Sequence, residues 1–412
     1  MIGTARDRCQ AHPTERRSPT AVTSGPRPTR RPTMTETTHT DNASAGGIGI
    51  GSDGPGPAGP VAALPTLDIG PYRTGGPGRV AFLAALRAAC HGPGFFYLTG
   101  HGIPPATAAA MLAVSREFFH LPEDVKLEIE NVHSPHFRGY TRLGHEITRD
   151  NPDIREQIDV GDERPVRQLG PHDPPYLRLD GPNQWPAALP RMREIVDAYM
   201  AELGRLARTL VHAFAESLGL AADQLDPTFA VDPRSHLKLI RYLPAPAGFT
   251  ADYDQGVGAH KDGGFVTFVL QDDTGGLQDA RSPQAGTDVP ADGWIDVTPV
   301  PGTFVVNIGE MFELATQRYY RATVHRVVSP PAGTERVSAA FFFGPHLSAT
   351  LAPLPLPEEL RRQLPPSEPP DPRNPIFAEH GVNTLKSWLR SHPEVARRYY
   401  SDVEAPAGRR AH

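Results

Sequence analysis

The sequence predicts a mainly β protein with flanking helices, and three observations carry that expectation. From His236 onward, apolar residues recur with a period of two in short stretches: 236–242, 264–271, 293–297, 303–308, 323–329 and 335–343. Turn-forming clusters separate them, namely Asp272-Asp273-Thr274-Gly275-Gly276, Ala291-Asp292-Gly293 and Pro330-Pro331-Ala332-Gly333. The earlier half instead carries helical periodicity. Over 190–219, Ile195, Met200, Leu203, Leu206, Leu210 and Phe214 form an apolar stripe closed by Gly219. Many short strands with regular turns close as a sandwich or barrel, which leaves the helices outside.

The elements before the β region follow in order. Residues 1–62 are rich in Pro, Gly, Ser, Thr and Arg, with almost no aliphatic periodicity. Such a segment buries too little apolar surface to offset its ordering entropy, so a disordered extension is expected. Its Arg-rich, acid-poor start resembles a transit peptide, but the prolines break any amphipathic helix, and Met34 is a candidate start. A strand is expected over 64–69, a helix over 80–90, a strand over 94–98, and a helix over 106–119 that stops before Pro122. Residues 351–375 are proline-rich and are expected to wrap the surface, and a final helix is expected over 383–400.

Composition narrows the function. A net charge of -6 implies no large cationic face, so nucleic acid is not an expected partner. Cys9 and Cys90 allow at most one disulfide and no Cys-x-x-Cys motif. Cys90, in an apolar helical pattern, reads as a buried thiol. No apolar run approaches the ~20 residues that span a bilayer, and the N-terminus lacks an apolar signal core. A cytoplasmic monomer acting on a small molecule, away from membranes, is expected.

Chemistry concentrates in two places. In His260-Lys261-Asp262, an extended backbone puts His260 and Asp262 on one face and Lys261 on the other. His325, in the strand Thr323–Val328, is the natural third ligand. Two imidazoles and one carboxylate holding one side of a metal leave its other side open, the usual ferrous site of non-haem oxygenases. Eleven residues after His325 come Arg336-Val337-Ser338, on a strand face that continues through Ala340 and Phe342. An arginine carried into an apolar barrel needs an anion. Its planar fork matches a carboxylate, and the Ser338 hydroxyl can add a bond. That anion is either a protein carboxylate or a diacid cosubstrate whose 2-oxo acid end meets the iron.

With these residues in place, the chain resembles the isopenicillin-N-synthase-like family of 2-oxoglutarate/Fe(II) oxygenases over about 64–345. The landmarks are Leu64–Ile69, Gly94-Phe95-Phe96, Gly100-His101-Gly102-Ile103, Gly258–Asp262, Gly275-Gly276-Leu277-Gln278, Trp294–Val297, Val306-Asn307-Ile308-Gly309, His325-Arg326-Val327 and Arg336-Val337-Ser338. The resemblance implies a double-stranded β-helix (jelly-roll) core, with Fe(II) on His260, Asp262 and His325. It also implies 2-oxoglutarate on Arg336 and Ser338, and dioxygen as cosubstrate. It divides the chain into a 1–62 extension, an α/β N-terminal dioxygenase region at 63–180, helical support at 181–232, the jelly-roll core at 233–346, and a wrap with C-terminal helix at 347–412. Gln317-Arg318 stands where many members have an Asn-Gly turn, and Arg241-Tyr242-Leu243-Pro244 where many have two tyrosines. Tyr242 is either a cosubstrate contact or packing. Phe137–Tyr140 and Asp153–Asp159 either line the substrate side or, for the charged run, form a solvated loop. Phe268, Phe342 and Leu277 are each either an apolar wall or ordinary core, and Arg241 is the alternative carboxylate anchor.

The expected activity is a dioxygenase that turns 2-oxoglutarate into succinate and CO2 while oxidising, most simply hydroxylating, a metabolite. The bacterial members most like this chain include relatives of the ethylene- and succinate-forming enzyme and hydroxylases of antibiotic pathways. The alternatives are fragmentation of 2-oxoglutarate to ethylene, a cosubstrate-independent oxidase of the isopenicillin N synthase type, and a non-catalytic metal-binding jelly-roll.

Overall fold

A computed structural model describes residues 64–229, 232–245, 255–280, 294–366 and 374–403. The expectations for residues 1–62, with Cys9 and Met34, and for the Ala291-Asp292-Gly293 turn lie outside those residues.

The strands are β1 Thr66–Asp68, β2 Phe95–Thr99, β3 Gly139–Thr141, β4 Ile147–Thr148, β5 Asn151–Pro152, β6 Arg155–Gly161, β7 Arg234–Tyr242, β8 Val257–His260, β9 Val266–Gln271, β10 Leu277–Asp279, β11 Ile295–Asp296, β12 Phe304–Ile308, β13 His325–Val327 and β14 Arg336–Gly344. Among the described residues, eight strands join one sheet in the order β1-β2-β12-β9-β14-β7-β6-β3, and four join a second in the order β11-β10-β13-β8. Strands from the first and last thirds of the chain therefore share one sheet. The jelly-roll class holds, with helices flanking the large sheet.

Alternation gives the large sheet two different faces. Leu237, Leu239, Phe268, Val306, Phe341 and Phe343 pack into the main core with the helices. The longest helix, Arg191–Ser217, supplies Leu203, Leu206, Leu210 and Phe214 to it. Its stripe is the one the sequence predicts, and Gly219 follows with a left-handed φ of 76°. On the other face, Phe95, Ile240, Tyr242, Val305 and Ala340 meet Val257, Leu277 and Val327 of the small sheet in a second cluster. The site lies beside that inner layer.

Four local expectations are decided or revised. The run Asp153–Asp159 is not a solvated loop: all of its residues are buried, and 155–159 belong to β6, paired with β7. The final helix is two helices, His380–Ser391 and Pro393–Tyr399, because Pro393 cannot donate the hydrogen bond that would continue the first. Phe268 is not a cavity wall but part of the helix-side core, since the bend at Gly263-Gly264 resets the alternation after Asp262. The described part of the proline-rich stretch, 351–366, is anchored rather than merely wrapped, with Leu351, Leu354, Leu356 and Leu360 in the main core. Gln317 and Arg318 both adopt left-handed φ, 55° and 68°, as the Asn-Gly they replace would do with less strain. No described helix is long and apolar enough to cross a membrane.

Candidate active site

His260 ends β8 and pairs across the small sheet with His325 on β13. Asp262 follows β8 in a loop whose carbonyl oxygens accept from the helix that begins at Glu310. Glu310 N–H donates to Asp262 O at 2.7 Å and Met311 N–H to Gly264 O at 3.1 Å. Gly309 permits this approach, because a Cβ there would lie 2.1 Å from Gly264 O. One donor atom from each of His260, Asp262 and His325 lies within 4.8 Å of the others. Asp262 Oδ1 is 3.6 Å from His260 Nε2 and 3.7 Å from His325 Nε2.

The hydrogen bonds behind these atoms fix which ones face the centre. His260 Nδ1 meets Gly258 O at 2.8 Å and His325 Nδ1 meets Thr323 O at 3.1 Å. A carbonyl only accepts, so each Nδ1 carries a proton and each Nε2 is the nitrogen turned toward the centre. Asp262 Oδ2 accepts from Thr267 Oγ1 at 2.5 Å and Asn307 Nδ2 at 2.7 Å, which leaves Oδ1 toward the imidazoles. Burial would raise the Asp262 carboxyl, but His325, His260 and Asn307 hold it well below the usual carboxylate range. Burial and repulsion by His260 bring His325 down to about 4, so it stands neutral at pH 7, as a ligand must. A buried carboxylate and two imidazoles on one side of a cavity suit a divalent iron with open positions.

Arg336 and Ser338 share the inner face of β14, as alternation requires. Arg336 is only 1% exposed. Its Nη1 donates to Ser338 Oγ and its Nη2 to Gln271 Oε1, both at 3.1 Å, while its buried Nε has no partner. No carboxylate among the described residues lies within ion-pair distance of it, so a protein salt bridge is not what holds it. The guanidinium instead sits over the Tyr242 ring at 4.8 Å. Arg241 points the other way, to Glu156 at 2.9 Å and Glu335 at 2.7 Å, and is not an anchor in this cavity. Lys261 pairs with Glu313 at 3.1 Å, apart from the ligand atoms.

The triad, Arg336, Ser338 and Tyr242 line one cavity of about 1110 Å³, with Leu277 and Phe342 as walls. Its far side is ionic. Arg155 pairs with Glu146 and Asp153, both at 3.0 Å, and Lys238 with Glu146 and Asp159, also at 3.0 Å. His236 Nε2 lies 2.9 Å from Asp159 Oδ1. Burial would raise Glu146, but Arg155 and Lys238 outweigh it and bring the carboxyl down to about 2. Sequence reasoning assigned no role to Thr267, Asn307 and Gln271. Asn307 carried a signal, as a lone amide in the apolar run Phe304–Ile308; Thr267 and Gln271 carried none.

Comparison with known proteins agrees with this geometry. Residues 64–188 match the model of the non-haem dioxygenase N-terminal region described from morphine synthesis, and residues 234–345 match that of the 2OG-Fe(II) oxygenase superfamily. A 2-oxoglutarate-dependent dioxygenase, frbJ, from a Dothideomycetidae species is 34% identical over 358 residues, covering 84% of this chain and 94% of that one. A homoarginine-6-hydroxylase of Arabidopsis thaliana is 34% identical over 272 residues, covering 65% and 78%. The crystal structure of JOX2 with 2OG, Fe and JA superposes with a TM-score of 0.60 at 26% identity, covering 82% and 89%. The chain belongs to the 2OG-Fe(II) oxygenase superfamily, and it is an oxidoreductase that uses Fe(II), 2-oxoglutarate and dioxygen to oxidise a small molecule.

Proposed function

We propose that His260 Nε2, Asp262 Oδ1 and His325 Nε2 are the iron ligands, and that Arg336 and Ser338 receive the far carboxylate of 2-oxoglutarate. The observation that carries this is Arg336, a buried guanidinium in the triad's cavity with no described carboxylate for a partner. Tyr242 contributes its ring face beneath that guanidinium rather than a hydrogen bond to the diacid. Gln271 holds the second arm of the fork, so the arginine is oriented before the diacid arrives. Thr267 and Asn307 keep Asp262 ionised and turned toward the metal. Bound iron supplies the redox chemistry: dioxygen is reduced, 2-oxoglutarate leaves as succinate and CO2, and a substrate C–H bond is oxidised. The chain itself places the reactants, excludes water and turns the Nε2 of both histidines toward the metal.

Hydroxylation is the proposed outcome, in keeping with the hydroxylase among the relatives. We further propose that the chain belongs to the isopenicillin-N-synthase-like group and acts as a cytoplasmic monomer, with its jelly-roll spanning 233–346. Its proposed role is in secondary metabolism, as in an antibiotic pathway, although the two curated relatives named above are fungal and plant. Adding oxygen to the protein with Fe(II) and 2-oxoglutarate, across a metabolite panel, should release succinate together with a hydroxylated product. Ethylene would identify fragmentation. Oxygen uptake without either product would point to the oxidase, and no uptake to a binding protein.

A further inference from the structure

We propose that Arg138 anchors the substrate by a carboxylate, the body of the substrate lying over Phe342 and His236 with its reacting C–H bond at the open side of the His260–Asp262–His325 group. This rests on the active-site assignment above and adds to it the class of molecule that is oxidised.

Arg138 lines the cavity and is 3% exposed. The other cations of the same wall, Arg155, Lys238 and Arg234, each have a carboxylate within ion-pair distance. Arg138 has none among the described residues. Its Nε is buried without a partner, and its Nη2 makes only a 3.5 Å contact with Leu179 O. Three aspartates are near enough to be felt, but each is bound elsewhere. Asp159 holds His236 and Lys238, Asp162 holds Arg164 and the Ser235 N–H, and Asp180 holds Arg164, Arg167 and Arg234. Burial and repulsion by Arg234 bring the guanidinium down to about 10, which still leaves it charged at pH 7. A buried charge with unmade hydrogen bonds is costly unless something completes it.

The side chain is also held deliberately. Phe137 and Gly139, on either side of it, adopt φ values of 56° and 110°. Phe137 is fully buried against Trp388 and Tyr400, so a non-glycine residue is kept in a strained conformation by its packing. The Arg138 carbonyl accepts from Gln184 at 2.7 Å. The guanidinium lies on Gly161, where a Cβ would come within 2.1 Å of Nη2. A glycine at that point of β6 leaves the space the fork occupies.

Sheet register places Arg138 relative to the metal ligands. Gly161 pairs with His236, His236 with Phe342, and Phe342 with Thr267, whose hydroxyl holds Asp262. That row crosses three strand spacings, about 14 Å. Arg336 lies six residues along β14 from Phe342, about 20 Å in the other direction. One five-carbon diacid cannot use both arginines, so Arg138 is available to a second molecule. Between lies an aromatic floor, with His236 centred 5.8 Å from Phe342 and 4.8 Å from Trp388. A carboxylate at one end of an apolar or aromatic body on the order of 10 Å long fits this row.

The test uses matched pairs, 4-phenylbutanoate with its primary amide and octanoate with its amide, titrated against the full chain. Tryptophan fluorescence reports binding without iron or cosubstrate, since Trp388 borders the row. The wild type should bind each acid at least tenfold more tightly than its amide, and Arg138→Gln should erase that preference. Should Arg138→Gln not fold, Arg138→Lys keeps the charge, loses the fork and should bind the acids at least fivefold more weakly. No acid binding to the wild type, equal binding of acid and amide, a preference that survives in Arg138→Gln, or unchanged affinity in Arg138→Lys would each overturn the proposal. Titrating 2-oxoglutarate into the anaerobic Fe(II) protein separately tests the assignment beneath it. Loss of that signal in the wild type, with the acid preference intact, would sink the cosubstrate site and leave the Arg138 anion site standing.

Discussion

The two faces of strands β6, β7 and β14 are built on opposite terms. One presents Ile158, Val160, Leu237, Leu239, Phe341 and Phe343 to the helices, and apolar burial satisfies most of it, with Glu156 and Arg241 paired to each other. The other, on the same three strands and one residue out of phase, presents Arg155, Gln157, Asp159, His236, Lys238, Tyr242, Arg336 and Ser338. Those polar groups cost desolvation and are mostly repaid in pairs. The exceptions are informative: among the described residues the Nε atoms of Arg155 and Arg336, the Oε1 of Gln157 and the Nδ1 of His236 have no partner, and all but Gln157 line the cavity. Stability alone gives no reason to bury a guanidinium without an anion, so the inner face is organised around molecules that arrive later.

Substitutions should separate the faces, the largest effect coming from the metal donors. His260→Ala or His325→Ala removes one of three protein ligands, and iron stoichiometry by elemental analysis should fall close to zero. Near-full loading of His325→Ala would break the assignment. On the outer face, Phe341→Ala should lower unfolding free energy by about 3–5 kcal/mol while 2-oxoglutarate affinity stays within about twofold. Denaturant titration and a binding isotherm check both halves, and a large loss of affinity would mean the faces are coupled.

Smaller effects sharpen the contrast. Ser338→Ala removes one hydrogen bond to a charged group, worth about 1.5–3 kcal/mol, so 2-oxoglutarate should bind roughly ten- to a hundredfold more weakly with iron retained. Glu146 supplies a pH signature. Its folded carboxyl is depressed to about 2 by Arg155 and Lys238 against the burial that opposes them. Its contribution is therefore present above the unfolded carboxyl range and is lost as pH falls from there toward 2. Glu146→Gln should flatten stability against pH in that acid window, and an unchanged slope would show the pairing is not linked to folding. Lys261→Ala should change turnover least, because that side chain faces Glu313.

What the sequence made legible follows from locality. His260 and Asp262 are two residues apart and Arg336 and Ser338 lie on one strand, so alternation alone put each pair on one face. The strands of the second half and the long helix show their period directly. The partners of the site are a different matter. Asp262 is tied to Asn307 and Arg336 to Gln271 by hydrogen bonds between residues 45 and 65 positions apart, brought close by the β9–β12 and β9–β14 pairings. No spacing rule encodes such a pairing. β6 hid for a related reason: Arg155, Glu156 and Asp159 read as solvated until strand β7 brings Lys238 and Arg241 beside them.

The central claim is that a buried guanidinium without a described carboxylate is the cosubstrate anchor, and two arginines on neighbouring strands test it together. Arg336 faces the cavity; Arg241 faces Glu156 and Glu335. The measurement is anaerobic titration of the Fe(II)–2-oxoglutarate charge-transfer band in wild type, Arg336→Leu and Arg241→Leu. Losing one partner of a buried charged pair costs about 3–5 kcal/mol, so Arg336→Leu should weaken 2-oxoglutarate by a factor of hundreds to thousands, with iron content unchanged. Arg241→Leu should bind it nearly as the wild type does. Wild-type affinity in Arg336→Leu, or the large loss appearing in Arg241→Leu instead, would contradict the account.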